Sequence, residues 1–282
     1  MNLADSHCHL QDPRLAPFLP QLIRECLTHG IRQWVVNATR EADWPAVIQL
    51  AQQYPGMRPA FGLHPWWISL RSSHWANSLR ELLLKYPAAS VGETGLDLWM
   101  PQPDLRDQKE VLLTHLQIAR EMQRPVSLHG LKAWPQLLKV MRETAPWESG
   151  FLLHSYSGPA EQIQDWIKLG AYFSFSPAFL APKRESIRQL FATQIPLERL
   201  LVETDSPDMA PPSALAVAQF PLHHGGPGEK EKPLNHPANL ILCVEHLARE
   251  RGISPESFKF HMQMNFDRLW NFAPKKQPGN AW

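Results

Sequence analysis

Eight short apolar runs recur along the 282-residue chain, separated by longer stretches, most of them of helical periodicity. The runs are LADSHCH (3–9), WVVNA (34–38), PAFGLH (59–64), SVGETGL (90–96), PVSLH (125–129), GFLLH (150–154), AYFSFS (171–176) and RLLVETD (199–205). Their length and their Val, Leu, Ile and Phe content suit strands buried on both faces, as in a parallel sheet. The step from one run to the next is roughly thirty residues, the size of one β-α unit. Eight such units predict an α/β fold of the (β/α)8 barrel type. An open doubly wound sheet is the competing arrangement. No G-x-G-x-x-G or Walker pattern follows any of the runs, which counts against it.

The helical segments read as amphipathic. In RLAPFLPQLIRECLTHG, Leu15, Phe18, Leu19, Leu22, Ile23, Cys26 and Leu27 share a face, and Gly30 supplies a stop. Asp104 is a natural N-cap for DLRDQKEVLLTHLQIAREMQ. SSHWANSLRELLLKY, KAWPQLLKVMRET, PAEQIQDWIKLG, HPANLILCVEHLARERG and SPESFKFHMQMNFDRLW follow the same pattern. The expected organisation is one barrel domain over 1–272. A Pro- and Gly-rich loop, 206–237, would lie over its mouth, and a solvated tail would occupy 273–282.

Net charge is +1 with both signs dispersed, so no basic run marks a global nucleic-acid footprint, though a local patch can still bind phosphate. The three cysteines, Cys8, Cys26 and Cys243, are too few and scattered for a disulfide framework. With no secretory pattern and no bilayer-length apolar run, the expectation is a cytoplasmic protein without a membrane association. No obligate protein partner is evident.

In a barrel of this kind the chemistry sits at the C-terminal ends of the strands. Those ends carry His7 and His9, His64, Glu93, His129, His154, and Glu203 with Asp205. Alternate strand residues share a side, so His7 and His9 can both face the axis while Cys8 turns away to pack. His-X-His is then a two-pronged metal grip. A lone buried histidine is more often a hydrogen-bonded core residue, and a lone strand-end carboxylate is often a cap. Six such groups on five strand ends are hard to explain separately. Six candidate ligands without cysteine also exceed a closed structural site. They favour a catalytic pair of ions about 3.5–4 Å apart sharing one carboxylate. The donor types admit several divalent metals: Zn, Mn, Mg, Ni or Co.

The pieces DSHCHL (5–10), GLHPWW (62–67), VGETGLD (91–97), PVSLH (125–129), LLHSYSG (152–158), SFSP (174–177), LLVETDSPDM (200–209), NHPANL (235–240) and NFDRLW (265–270) occur in that order. With them the chain resembles the TatD family of metal-dependent deoxyribonucleases, within the amidohydrolase-like barrels. The resemblance implies that His7 and His9 bind one metal with Asp205, that His129 and His154 bind a second, and that Glu93 is shared. It implies that His64 contacts the substrate phosphate and that Glu203 orients a ligand or loop. Asp205 would be the general base in hydrolysis of DNA or another nucleic acid. The chain departs from the family's usual pattern at substrate-facing positions. Leu131, beside Lys132, stands where an arginine is frequent; HSYSG replaces HCFSG; and Leu234 precedes Asn235 where Arg-Asn is frequent.

Trp66, Trp67 and Trp99 lie near these motifs and are candidates for base stacking, though loop tryptophans commonly pack on neighbouring loops. Lys132 and Lys183 are candidates for phosphate contact, and His223 and His224 for extra metal ligands; solvated side chains are the ordinary reading of all four. Ser155 and Ser206 read as turn or cap residues rather than nucleophiles. Two other functions fit less of the pattern. One is a small-molecule amide, ester or lactone hydrolase using the same centre. The other is a non-catalytic metal- or nucleic-acid-binding protein.

Overall fold

The computed structural model describes residues 2–220 and 233–271. All eight apolar runs form strands: β1 Leu3–Cys8, β2 Ile31–Asn37, β3 Met57–Phe61, β4 Ser90–Asp97, β5 Val126–Leu131, β6 Phe151–Leu153, β7 Ala171–Phe175 and β8 Leu200–Val202. Each pairs in parallel with the next, giving one sheet in chain order. Around it run α1 Leu19–Thr28, α2 Trp44–Gln53, α3 Trp75–Lys85, α4 Leu105–Glu121, α5 Trp134–Glu143, α6 Ile163–Lys168 and α7 Glu185–Thr193. After β8 come α8 Leu240–Glu250 and α9 Pro255–Trp270. The architecture is the expected (β/α)8 barrel.

Local chemistry explains the element ends. Asp104 caps α4, its carboxylate accepting from the backbone N–H groups of Arg106 and Asp107. Two helices, α2 and α7, were not anticipated. Their buried faces are brief: Trp44, Val47 and Leu50 in α2, and only Leu190 and Phe191 in α7. Leu27, assigned above to the inward face of α1, is exposed instead; Leu22, Ile23 and Cys26 carry that face.

The barrel interior has two levels. Its floor is apolar: Ala4, Val35, Ala60, Leu152, Tyr172 and Leu201 pack against Phe266, Leu269 and Trp270 of α9. Above it, Asn37, Ser127, Ser174, Glu203 and His7 are all buried and polar. Ala4 belongs to the floor and His7 to the upper level, an odd step for a regular strand. A register shift between Asp5 and Cys8 accounts for it.

The seam between β1 and β8 is closed mostly by side chains. Asp5, fully buried, accepts from the backbone N–H and hydroxyl of Thr204. Ser6 Oγ donates to the Val202 carbonyl at 2.9 Å. Two backbone bonds finish the seam, from Asp205 N to His7 O (2.9 Å) and from His9 N to Ser206 O (2.7 Å). Seam and strand-end histidines are therefore the same place. Of the loop expected over the mouth, Asp208 and Met209 border the cleft, whereas Phe220 packs on Phe18 and His236 beside α1. His223 and His224, and the tail at 273–282, lie outside the described residues. No described helix is long and apolar enough to cross a membrane.

Candidate metal centre

Two glycines let β4 carry Glu93 into the axis. A Cβ on Gly95 would stand 2.0 Å from the His129 carbonyl oxygen, and one on Gly92 would stand 2.8 Å from Ser127 Cβ. Only glycine permits this approach of β4 to β5. Glu93 then meets donors from four other strand ends.

Its two carboxylate oxygens face two different groups. Oε2 lies 3.3 Å from both His7 Nε2 and His9 Nε2. Asp205 Oδ1 joins this group, 3.2 Å from His9 Nε2 and 3.7 Å from His7 Nε2. Oε1 lies 2.9 Å from His129 Nδ1 and 2.8 Å from His154 Nε2. The six residues expected as ligands are thus brought together, in two sets that share Glu93.

The far ring nitrogens fix which atoms remain to bind. His9 Nδ1–H donates to the Asn37 carbonyl at 2.7 Å. His129 Nε2–H donates to Asp97 at 3.1 Å. His7 Nδ1 shares a 2.8 Å hydrogen bond with Ser127 Oγ. His154 Nδ1 faces Glu203 Oε1 at 3.5 Å, and Glu203 also accepts from the Ser155 and Ser174 hydroxyls. In His9 and His129 the acceptors behind the rings place the proton of the neutral form on the outer nitrogen, so the inner one presents a lone pair; His7 and His154 can take the same form. His7 and His9 Nε2 face each other at 3.3 Å, and His129 Nδ1 and His154 Nε2 at 3.1 Å. In neutral rings lone pairs so placed repel, and a proton or a metal cation between them relieves this. A tetrahedron with bonds of ~2.1 Å has edges of about 3.4 Å. The 3.2–3.7 Å edges of the first set suit such an ion.

His64 differs. Its Nδ1 accepts from the Trp66 backbone N–H at 3.1 Å, so the proton of the neutral ring is on Nε2. Nε2 lies 3.6 Å from Glu93 Oε1. Although His64, Glu93 and His129 are close enough for a shared ion, this tautomer makes His64 a donor rather than a ligand.

Electrostatics agree with a cation site. Burial would raise Glu93, but His154, His64 and His7 hold it well below the carboxylate range. Burial opposes charge on His9 and His154, yet the facing carboxylates lift both well above the usual histidine value. Burial holds His64 down to about 3, keeping it neutral.

Asp97, which closes the VGETGLD motif, was given no role from the sequence. It is buried, and despite that burial its bonds from His129 and Trp66 bring it down to about 2. Oδ2 accepts from His129 Nε2–H and, at 2.7 Å, from the Trp66 indole. Asp97 is a fixed anionic partner for His129, a candidate ligand, and only the structure shows that contact. Lys132 lies on the rim of the cavity beside His129 and His154; Lys183 is exposed and is not among that cavity's lining residues. Ser206 Oγ donates to the Asn235 carbonyl, as a turn residue would.

Comparison with known proteins points the same way. The family model for TatD related DNase matches residues 4–271. The chain is 30% identical over 275 residues to the uncharacterized metal-dependent hydrolase YcfH of Escherichia coli K12, covering 96% of each. It is 24% identical over 270 residues to human Deoxyribonuclease TATDN3, covering 91% of this chain and 90% of that protein. Its fold matches the crystal structure of YjjV, a TatD homologue from Escherichia coli K12, with a TM-score of 0.84 at 25% identity, over 96% and 98% of the two chains.

Proposed function

Because the chain belongs to the TatD family of metal-dependent hydrolases, we propose that it is a two-metal phosphodiesterase acting on DNA. The observation that carries this reading is the divided Glu93 carboxylate, one oxygen toward each set of imidazole lone pairs. His7, His9 and Asp205 would hold one divalent ion and His129 and His154 the other, with Glu93 available to both. Such ions supply Lewis acidity and a water activated near neutral pH. Asp205 would be the proton acceptor for the attacking water: Oδ1 faces His9, leaving Oδ2 free for that role. Neutral His64 would donate a hydrogen bond from its Nε2–H to a non-bridging phosphoryl oxygen as charge builds there. Glu203 holds the His154 ring, and the Ser155 and Ser174 hydroxyls hold Glu203. The human relative's name supports DNA as substrate. The three cysteines are unpaired and buried, which suits a reducing compartment such as the cytoplasm.

One observation favours a smaller substrate. Two cations at the mouth are already paired, Arg14 with Asp12 and Asp208 and Arg40 with Asp43, which leaves Lys132 and Arg184 on the neighbouring rim for phosphate. A small-molecule ester or lactone needs fewer phosphate contacts than a DNA strand.

The deciding experiment is cleavage of an end-labelled single-stranded DNA oligonucleotide. Chelator-stripped protein is reloaded separately with Mg, Mn, Zn, Co or Ni. Cleavage should return with at least one metal, and Asp205→Asn should remove nearly all turnover at matched fold and metal content. Failure with every metal, in protein shown to hold it, would move the reading to the smaller substrate. Near-normal turnover by Asp205→Asn would remove Asp205 from its role.

A further inference from the structure

Two large aromatic side chains stand open at the barrel mouth, Trp66 at 42% and Trp99 at 56% exposure. Their rings stack, with centroids 6.0 Å apart and planes 24° from parallel. Both are tied to one buried carboxylate. Asp97 Oδ2 accepts from the Trp66 indole N–H (2.7 Å), and Oδ1 accepts from the backbone N–H groups of Trp99 (2.7 Å) and Met100 (3.0 Å). Oδ2 also accepts from His129. One carboxylate therefore holds the Trp66 indole, the Trp99 backbone and a proposed metal ligand together. The pair borders a cavity of about 410 Å³ that reaches Glu93, His129 and His154. That volume lies within the range of small-ligand clefts, ~300–1,000 Å³. On the same wall the Arg40 guanidinium sits 4.6 Å from the Trp67 ring centre.

The indole of Trp66 has its only donor satisfied, so it offers a face rather than a hydrogen bond. Pre-positioned faces near a phosphodiester centre suit a planar ring, and every nucleobase has one. We infer that Trp66 and Trp99 form a stacking platform for one nucleobase beside the scissile phosphate, with Asp97 tying that platform to His129. The inference deepens the phosphodiesterase reading above and rests on it. Trp99 touches substrate; Trp66 also acts as a positioning residue through Asp97.

The test uses metal-loaded enzyme and a set of single-stranded oligonucleotides in which one base-less tetrahydrofuran residue is walked along the strand. In the wild type, cleavage should fall about tenfold, mainly through KM, at the one bond whose neighbouring base is missing, the order expected for one lost stack. Trp99→Ala should show that loss on the intact strand and no further loss on the base-less one. Trp99→Phe should recover part of it. Trp66→Phe keeps the ring but lacks the N–H. It should weaken metal affinity severalfold in chelator competition; unchanged affinity overturns the tie through Asp97. If intact strands are cleaved and no bond responds to a missing base, the platform is overturned and the phosphodiesterase stands. If no strand is cleaved, that reading falls and binding judges the platform alone. Quenching of tryptophan fluorescence by dAMP but not by deoxyribose 5-phosphate, lost in Trp99→Ala, supports it; equal quenching by both, or none by either, overturns it.

Discussion

Single protons decide the chemistry of this centre. Whether a histidine can bind a cation depends on which nitrogen holds its hydrogen, and that depends on the group behind it. Asn37 and Asp97 sit behind His9 and His129; a backbone amide sits behind His64. Asp97→Asn is informative because an amide cannot accept on both sides. It would turn its NH2 either toward His129 and Trp66 or toward the backbone N–H groups of Trp99 and Met100. Metal affinity should fall about 10- to 100-fold, as read by competition with a chelator, while the fold persists. At this scale the sequence was legible for the cluster of candidate ligands: His7, His9, His129, His154 and Asp205 lie at or near strand ends, and Glu93 lies within β4. It was not legible for Asp97 or Asp5. Their importance lies in who donates to them, across the sheet or across the seam, and linear spacing does not carry that information.

At the scale of elements, the β4–β5 contact sets the site. Gly95→Ala would drive a Cβ to 2.0 Å from the His129 carbonyl oxygen, a backbone atom that cannot swing aside. The strands must part and His129 must move. Stability should drop by about 3 kcal/mol, and His129 and His154 should lose their share of the metal, measured by denaturant titration and metal content. A normal content would show that the sheet absorbs the methyl without moving the ligand. The strands themselves were legible because runs buried on both faces are dense in apolar residues. Helices with long apolar faces, such as α4 and α5, were legible too. α2 and α7 were not, although they bury no fewer side chains than α6, which was.

At the scale of the whole molecule, stability should respond to pH through a residue outside the candidate ligand set. His115 of α4 is buried between the Val111 carbonyl, which accepts its Nδ1–H at 2.8 Å, and the Leu63 N–H, which donates to its Nε2 at 3.2 Å. Burial lowers it to about 4 from 6.5. The unfolded chain therefore takes up a proton below pH 6.5 that the folded one refuses until about pH 4. Its contribution is complete above pH 6.5 and declines as pH falls to 4, by about 3 kcal/mol. In metal-free protein, urea titrations of wild type and His115→Gln should converge by that amount between pH 7 and pH 4. Parallel curves would mean that His115 does not titrate as its burial implies.

The apolar floor has a further consequence, in the order of synthesis. All eight strands leave the ribosome before Phe266, Leu269 and Trp270 are translated, and those three cover the floor residues of β1, β2, β3, β6, β7 and β8. The first strand made waits for the last helix made. A message that stops after Asp205 but before Pro255 encodes all six candidate ligands and none of the cork, so it yields a cup of candidate ligands whose base is open to water.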